Sequence, residues 1–564
     1  MNKSHLLLIF LCLTISLFSQ NRERETRAVW VTTNFQLDWP PKTFDAEAQK
    51  KALIEIFDKI KFLKLNTVYF QVRSSGTVLF NSSYEDYPFF LTGSFEEKPS
   101  YDPLEFAIQE ARKRGLQIHA WVNVMRCYAS EAGIDLENPK HLYNKKPEWI
   151  ISKGYGDKTQ GWLNPGVFNA RAYLIDLFAE IIEKYDVDGL HLDFMRYPGK
   201  DFNDADTYEK SESESELDRD DWRRENINKF LQVLYIRSKL IRDDVKIGVT
   251  PIGIHKNKPN ASGMQGYYDV YQESGKWLDE KYIDYIVPQI YWNLENNPKF
   301  DLLAEDWKER AGDRKVILGI AAYKPEVKKE IQELIDVSRN KNADGVAFFR
   351  YQNIADYDKP LFEHNSLPSE MPWLKSEMPS LNMELNYDFL DKEKNLVKFH
   401  WNKNENFNHG YYLLVKSSGK NFTMDDVVIT VPADKTSVIL NIKNPKQLSY
   451  KFSLRAMDRI YNLSEEISNE VKVYPGRLEE LQKLSEDFVK PRLVKESDGK
   501  LKLLLNIKKS ELIEVYHVAG EEEVLIFSEF INSGKNVMQL PDTNYSVLKI
   551  KYKSSKKEVK LNLR

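Results

Sequence analysis

Between Arg27 and Tyr351 the chain alternates, eight times over, between short apolar stretches and longer ones with helical patterning. The strand-like stretches run Arg27 to Thr33, Asn66 to Arg73, Gln117 to Asn123, Val187 to Asp193, Val245 to Pro251, Tyr285 to Trp292, Val316 to Tyr323 and Gly345 to Tyr351. Between them, Leu53, Ile54, Ile56, Phe57, Ile60 and Phe62 recur at the spacing of a helix packed on a sheet. Pro103 to Arg114 reads as a helix with proline at its start and Gly115 at its end, and Ala170 to Tyr185 and Trp222 to Ile241 as further helices. Eight such units in about 340 residues predict a (β/α)8 barrel with insertions. A doubly wound open sheet is the rival, and it would bring a glycine-rich phosphate loop after the first strand. None is present.

From about residue 380 the pattern changes to short strands of period two, such as Leu396 to Trp401, Tyr411 to Val415 and Tyr450 to Ala456. The predicted fold class is therefore α/β, a TIM barrel over residues 25–375 followed by all-β sandwich domains. Residues 380–475 fit a fibronectin type III-like sandwich. A helical connector, Arg477 to Phe488, leads to a small β-rich unit over 490–564. The end of that unit loosely resembles the C-terminal sorting domains of the Bacteroidetes type IX secretion route, with glycine missing where those domains carry it.

The first 20 residues read as a signal peptide: Lys3, then an apolar run from Leu6 to Phe18 that is short for a membrane span, then Ser19 and Gln20. The expected location is exported, whether periplasmic, cell-surface or secreted, with no stable membrane insertion after cleavage. A net charge of −4 argues against a nucleic-acid partner. Of two cysteines, Cys12 lies in the apolar run, so Cys127 is unpaired and a disulfide framework is excluded.

In a parallel barrel the strand ends facing the C-terminal side carry the active site. Here they deliver Gln71 and Arg73, His119 and Asn123, His191 and Asp193, Gln289 with Tyr291 and Trp292, Tyr323, and Arg350 with Tyr351. These residues bond and stack. His119, His191 and Asp193 could share a metal ion, yet no His-x-His pair is present, so no metal and no cofactor are expected. No Gly-x-Ser-x-Gly supports a nucleophilic serine. What remains is carboxylate chemistry in an aromatic groove, for which Asp193 is the first candidate acid. Trp39, Trp121, Trp162, Tyr291, Trp292 and Tyr323 offer faces for sugar rings. Gln71, Asn123, Asn164 and Gln289 offer donors and acceptors for their substituents.

The stretches Arg27-Ala28-Val29-Trp30-Val31, Asp38-Trp39-Pro40, Tyr101-Asp102-Pro103-Leu104-Glu105-Phe106-Ala107 and His119-Ala120-Trp121-Val122-Asn123 are specific to a family pattern. So are Leu163-Asn164-Pro165-Gly166, Asp188-Gly189 through Tyr197-Pro198, Asp221 to Asn226 and Ile286 to Trp292. In these the chain resembles the glycosyl hydrolase-like 10 family of exported bacterial proteins over residues 25–370. The resemblance implies a barrel acting on glycans, with Arg73, His119, His191, Arg196 and Tyr197 in the substrate groove and bacterial cell-wall polysaccharide a candidate substrate. The family pattern often has two adjacent acids after the fourth strand, whereas here Asp193 is followed by Phe194.

The expected function is glycoside hydrolysis of a bacterial or environmental polysaccharide, peptidoglycan glycan strands among them. Asp193 is expected to be the essential carboxylate, with Glu295 or Asp38 as a second acid. Asp221 heads a helix and is read as an N-cap at least as readily as a catalytic group. With a 2-acetamido sugar, substrate assistance would replace a protein nucleophile. The alternatives are a non-catalytic glycan-binding protein, which the missing second acid favours, and a metal-dependent polysaccharide deacetylase.

Overall fold

The computed structural model describes residues 23–562, apart from residues 156–157, 213–215, 377, 379–381, 392–394, 408, 417–421, 443–449, 474–490, 496–500, 509, 520–521, 541–544, 546 and 554–555. The signal-like leader and the connector from Arg477 to Phe488 lie outside the described residues. The chain divides into two units, a barrel up to Met378 and an all-β region beyond it, with residues 423–425 and 457–463 grouped with the barrel.

Eight strands form the barrel: β1 (Thr26–Val31), β2 (Thr67–Ser74), β3 (Gln117–Asn123), β4 (Gly189–Asp193), β5 (Lys246–Val249), β6 (Tyr285–Ile286), β7 (Lys315–Ile320) and β8 (Gly345–Phe348). Each pairs in parallel with the next, and β8 returns to β1, which closes the ring. All eight residues of β2 are buried, as expected of a parallel strand covered on both faces. Helix α1 (Ala46–Phe62) starts where the Asp45 carboxylate accepts from Ala48 N–H at 2.6 Å, and it buries Leu53, Ile56, Phe57 and Ile60 against the sheet. Helix α2 (Pro103–Lys113) is capped by Asp102 and has proline at its first position.

Two sequence expectations are corrected. The sixth strand, expected over Tyr285 to Trp292, is regular for two residues only, because Pro288 has no N–H for the ladder. Gln289 restores an isolated bridge on each side. The long helix after the fourth strand is α3 (Arg219–Ile241) among the helices labelled here, three residues longer at its start than Trp222. Asp218 is its cap, accepting from Asp221 N–H at 2.8 Å, while Asp221 sits in the first turn paired with Arg224. Two acids three residues apart both suit a helix start, and the outer one wins.

Inside the barrel, Trp30, Tyr69, Trp121, Tyr285, Val287 and Ala347 form one apolar cluster. Its packing depends on Gly248, where a Cβ would meet the Tyr285 ring at 2.0 Å. Gly248→Ala is therefore expected to destabilise the barrel by about 1–3 kcal/mol through overpacking. Thermal unfolding of the variant measures it, and an unchanged midpoint would contradict the packing described.

The segment after β3 folds as a three-stranded antiparallel sheet of Arg126–Ala129, Lys158–Leu163 and Ile150–Tyr155. Cys127 within it is fully buried, and burial pushes its thiol up to about 12, consistent with an inert side chain.

The all-β region contains two sets of antiparallel sheets. In the first, β9 (Leu385–Asp391), β10 (Leu396–Trp401) and β13 (Ser437–Asn441) form one sheet. β12 (Val427–Pro432), β11 (Gly410–Lys416), β14 (Tyr450–Asp458) and β15 (Leu463–Ile467) form the other in that order, with β16 (Val471–Val473) also on β14. The second set repeats the plan. β17 (Arg492–Lys495), β18 (Leu501–Ile507) and β21 (Gly534–Gln539) pair, as do β20 (Glu522–Ile531), β19 (Glu511–Ala519), β22 (Val547–Tyr552) and β23 (Lys557–Asn562). Both sets put strands 1-2-5 in one sheet and 4-3-6-7 in the other.

Candidate active site

Asp193 is the last residue of β4 and lies opposite Asn123, the last residue of β3. It is 7% exposed. Its Oδ1 accepts from Phe194 N–H at 2.7 Å and lies 3.5 Å from the Gln289 amide nitrogen. Burial pushes this carboxyl above the usual range, against the opposing pull of the Phe194 N–H and the charges of Arg196 and Arg126. Tyr291 stands near, its phenol driven far upward by burial and by the Asp193 charge, so it stays protonated.

The rim is aromatic. Tyr291, Tyr323 and Phe349 meet pairwise at centroid distances of 5.9–6.1 Å, and Phe349 also reaches Trp121 at 6.4 Å. Tyr323 is exposed, and Gln289, Tyr291, Trp292 and Arg196 are half-buried. Phe194 adopts a left-handed backbone, φ 53°, and the Arg126 and Arg196 guanidinium groups approach its ring at 4.4 and 5.0 Å. Trp162, from the sheet that follows β3, packs on Phe194 at 5.7 Å. Nothing in the sequence separates Phe349 from a core aromatic or Arg126 from a solvated surface charge, and Phe194 is marked there only as the residue in place of a second acid.

Nearer the strand starts, two residues before Asp193 and four before Asn123, the chemistry is already consumed. Trp30 Nε1–H donates to His191 Nε2 at 2.9 Å, so the His191 proton sits on Nδ1, which faces the Tyr285 hydroxyl at 3.2 Å. That hydroxyl then donates to His119 Nδ1 at 2.7 Å, and His119 Nε2–H faces Gln117 Oε1 at 3.4 Å. The chain runs in one direction with both imidazoles neutral, and burial holds both well below the usual histidine range. His191 also stacks on Tyr69 at 3.9 Å. Each histidine acceptor is taken, so neither ring offers a lone pair to a metal. Among the described residues no group of three or more His, Cys, Asp or Glu is placed to hold one.

Other expected groove residues are also part of the scaffold. Arg73 is fully buried against Glu85 through two bonds of 2.7 and 2.8 Å and donates to the carbonyls of Asn123 and Val124. Gln71 Oε1 accepts from Thr33 and Asn34 N–H at 3.0 and 2.8 Å, which pins the loop after β1. Trp39 is buried with its indole N–H on the Gln49 carbonyl, Asn164 caps its own turn at Gly166 N–H, and Tyr197 is wholly buried. Trp121 and Asn123 are buried beneath the rim.

Of the two candidate second acids, Asp38 has no exposed side-chain surface. It accepts from Thr32 N–H at 2.8 Å, from Gln352 N–H at 3.0 Å and from Arg350, joining the loops after the first and last strands. Burial raises it, and the Thr32 N–H and the Arg350 charge oppose that rise. Glu295 is exposed on the loop after β6, two residues beyond Asn293, which bonds Glu330.

Fold and site together define a closed (β/α)8 barrel with a buried carboxyl at its mouth and an aromatic rim. The chain belongs to the Glycosyl hydrolase-like 10 family, whose profile matches residues 25–336. It is 28% identical over 477 residues to the glycosyl hydrolase YngK of Bacillus subtilis, covering 78% of this chain and 92% of that one. It is 31% identical over 334 residues to the glycosyl hydrolase DigH of Escherichia coli K12, covering 54% of this chain and 75% of that one. Among solved structures, the glycoside hydrolase domain of PgaB (BpsB) from Bordetella bronchiseptica aligns at a TM-score of 0.44 and 15% identity. That alignment covers 59% of this chain and 96% of that one.

Proposed function

We propose that the protein is an exported glycoside hydrolase that cleaves a bacterial or environmental polysaccharide, peptidoglycan glycan strands among the candidates, and that Asp193 supplies the acid. The observation that carries this reading is a carboxyl at a barrel strand end, held above its usual range by burial, beside a rim of Tyr291, Tyr323 and Phe349. A carboxyl whose raised pKa extends its protonated form to higher pH can give that proton to the glycosidic oxygen as the bond to the anomeric carbon breaks. Asp38 is buried with its oxygens occupied. That favours substrate assistance by a 2-acetamido group, whose oxygen would attack the anomeric carbon, or a contribution from Glu295 on its exposed loop. The two sandwich-like units, each with sheets of strands 1-2-5 and 4-3-6-7, support a fibronectin type III-like reading of residues 380–475 and a related one for 490–564.

Product analysis with peptide-free peptidoglycan strands and other bacterial polysaccharides tests the proposal. New reducing ends are expected from the wild type. Phe194, standing where a second acid is often found, favours one alternative: binding without cleavage across the whole panel would make the barrel a glycan-binding module.

No helix among the described residues is long and apolar enough to cross a membrane. Export itself rests on the leader and is checked by fractionating the native host and sequencing the mature N-terminus, expected near residue 21.

A further inference from the structure

We propose that a cleft formed by the loops after β1, β2 and β3 is a second carbohydrate subsite, seating one pyranose ring of the substrate glycan on the face of Phe35. The inference rests on the carbohydrate reading of the barrel and adds a binding position to it. The cleft measures ≈ 280 Å³ and is lined by Asn34, Phe35, Ser74, Thr77, Phe90 and Asp135 among others. All of these belong to segments at the C-terminal side of the barrel, the side on which Asp193 ends its strand.

Phe35 is 38% exposed although it is large and apolar. It and Gln36 both hold a left-handed backbone, φ 54°, a conformation uncommon for bulky residues. The loop is fixed from several directions. Gln71 receives Thr33 and Asn34 N–H, Gln36 Nε2 donates to the Pro41 carbonyl at 3.2 Å, and Arg350 donates to the Leu37 carbonyl at 2.9 Å. A strained segment that its surroundings over-determine, presenting an aromatic face to solvent, is the arrangement expected of a binding element.

The polar groups suit a sugar. Asn34 Oδ1 accepts from Ser74 and Ser75 hydroxyls at 2.7 and 3.3 Å, which orients the amide and leaves its nitrogen without a bond among the described residues. Asp135 is buried, its Oδ1 accepting from Phe89 N–H at 2.9 Å, and its other oxygen carries no bond among the described residues. A flat apolar face, an amide donor and a carboxyl acceptor around one small cleft match the C–H face and hydroxyls of a pyranose. Gln71 links the two places: its amide nitrogen lies 3.4 Å from Asn123 Oδ1, and Asn123 is the register partner of Asp193. A glycan bound across both would gain affinity with length.

The test uses the full chain carrying Asp193→Asn, so that bound glycan is not consumed. Calorimetric titration compares N-acetylglucosamine oligomers from disaccharide to octasaccharide and peptide-free peptidoglycan strands. Adding Phe35→Ala is expected to weaken binding of the longest ligands about tenfold, the size of one lost aromatic contact, and to flatten the dependence on length. Phe35→Trp is expected to retain it. If Phe35→Ala and Asn34→Ala both bind long ligands as tightly as the parent, the subsite is overturned while the hydrolase reading stands. If the parent binds none of the glycans, both fall together.

Discussion

Asp193→Asn is expected to lower glycan cleavage by about 10²- to 10⁴-fold, the range for losing a positioned general acid, and at the same time to make the folded protein more stable at neutral pH. The second half follows from burial. In the folded protein this carboxyl is held above its ordinary value of 3.8, so the folded state keeps a proton that the unfolded chain has already released. Its contribution to stability is fully present below that ordinary value and is lost as pH rises through the folded pKa. Asparagine carries no such charge. The variant should therefore match the wild type in strong acid and gain on it toward neutrality, a difference read from thermal midpoints across a pH series. Wild-type kcat should fall on the alkaline side as the acid form is lost. Equal cleavage by variant and wild type would remove Asp193 from the chemistry, and a variant less stable at pH 7 would contradict the buried charge.

Glu85→Ala is expected to cost about 3–5 kcal/mol, because it strands the Arg73 guanidinium, buried between the strands and the Phe178 ring of the helix Phe168–Lys184, with no counter-charge. Both side chains are essentially without solvent exposure, and Arg73 also holds the ends of β3 through the Asn123 and Val124 carbonyls. Urea unfolding measures the loss. Replacing both partners, Arg73→Met with Glu85→Leu, should recover most of it, since an apolar pair leaves no orphaned charge. A loss below about 1 kcal/mol for Glu85→Ala would mean that the pair is solvated. The double variant should still bind glycan less well than wild type, because the strand end beside Asp193 loses its anchor.

The barrel was legible in the sequence because parallel strands buried on both faces are written as apolar runs, which β7 shows plainly, while β2 is apolar at Val68 to Phe70 and turns polar toward its C-terminal end. The sixth strand was overextended because Gln289 to Trp292 has a strand's composition, while one missing N–H at Pro288 decides the ladder. The site was half legible. Alternation identifies His119, His191 and Asp193 as inward-pointing, but not how deep each lies. A shift of two residues along a strand separates a neutral imidazole locked under Trp30 from a carboxyl at the mouth. Asp38 and Arg73 carry catalytic chemistry on paper, and only their partners in space, Arg350 and Glu85, show that both are spent on structure. Phe35 and Asp135 lie on loops without periodicity, where sequence offers no signal of a shared cleft.

Phe194 carries a consequence for how such a mouth can be altered. A bulky aromatic is a poor occupant of left-handed backbone, whereas Asp and Asn adopt it several-fold more often than other residues with a side chain. Phe194→Asp would exchange two ring-to-guanidinium contacts for a carboxylate beside the same two arginines, on a main chain already shaped to accept it. The step between one acid and two at this strand end is therefore a single side chain, needing no rearrangement of the histidine–tyrosine chain below. A change in the number of acids at the mouth is thus separable from the packing of the barrel interior.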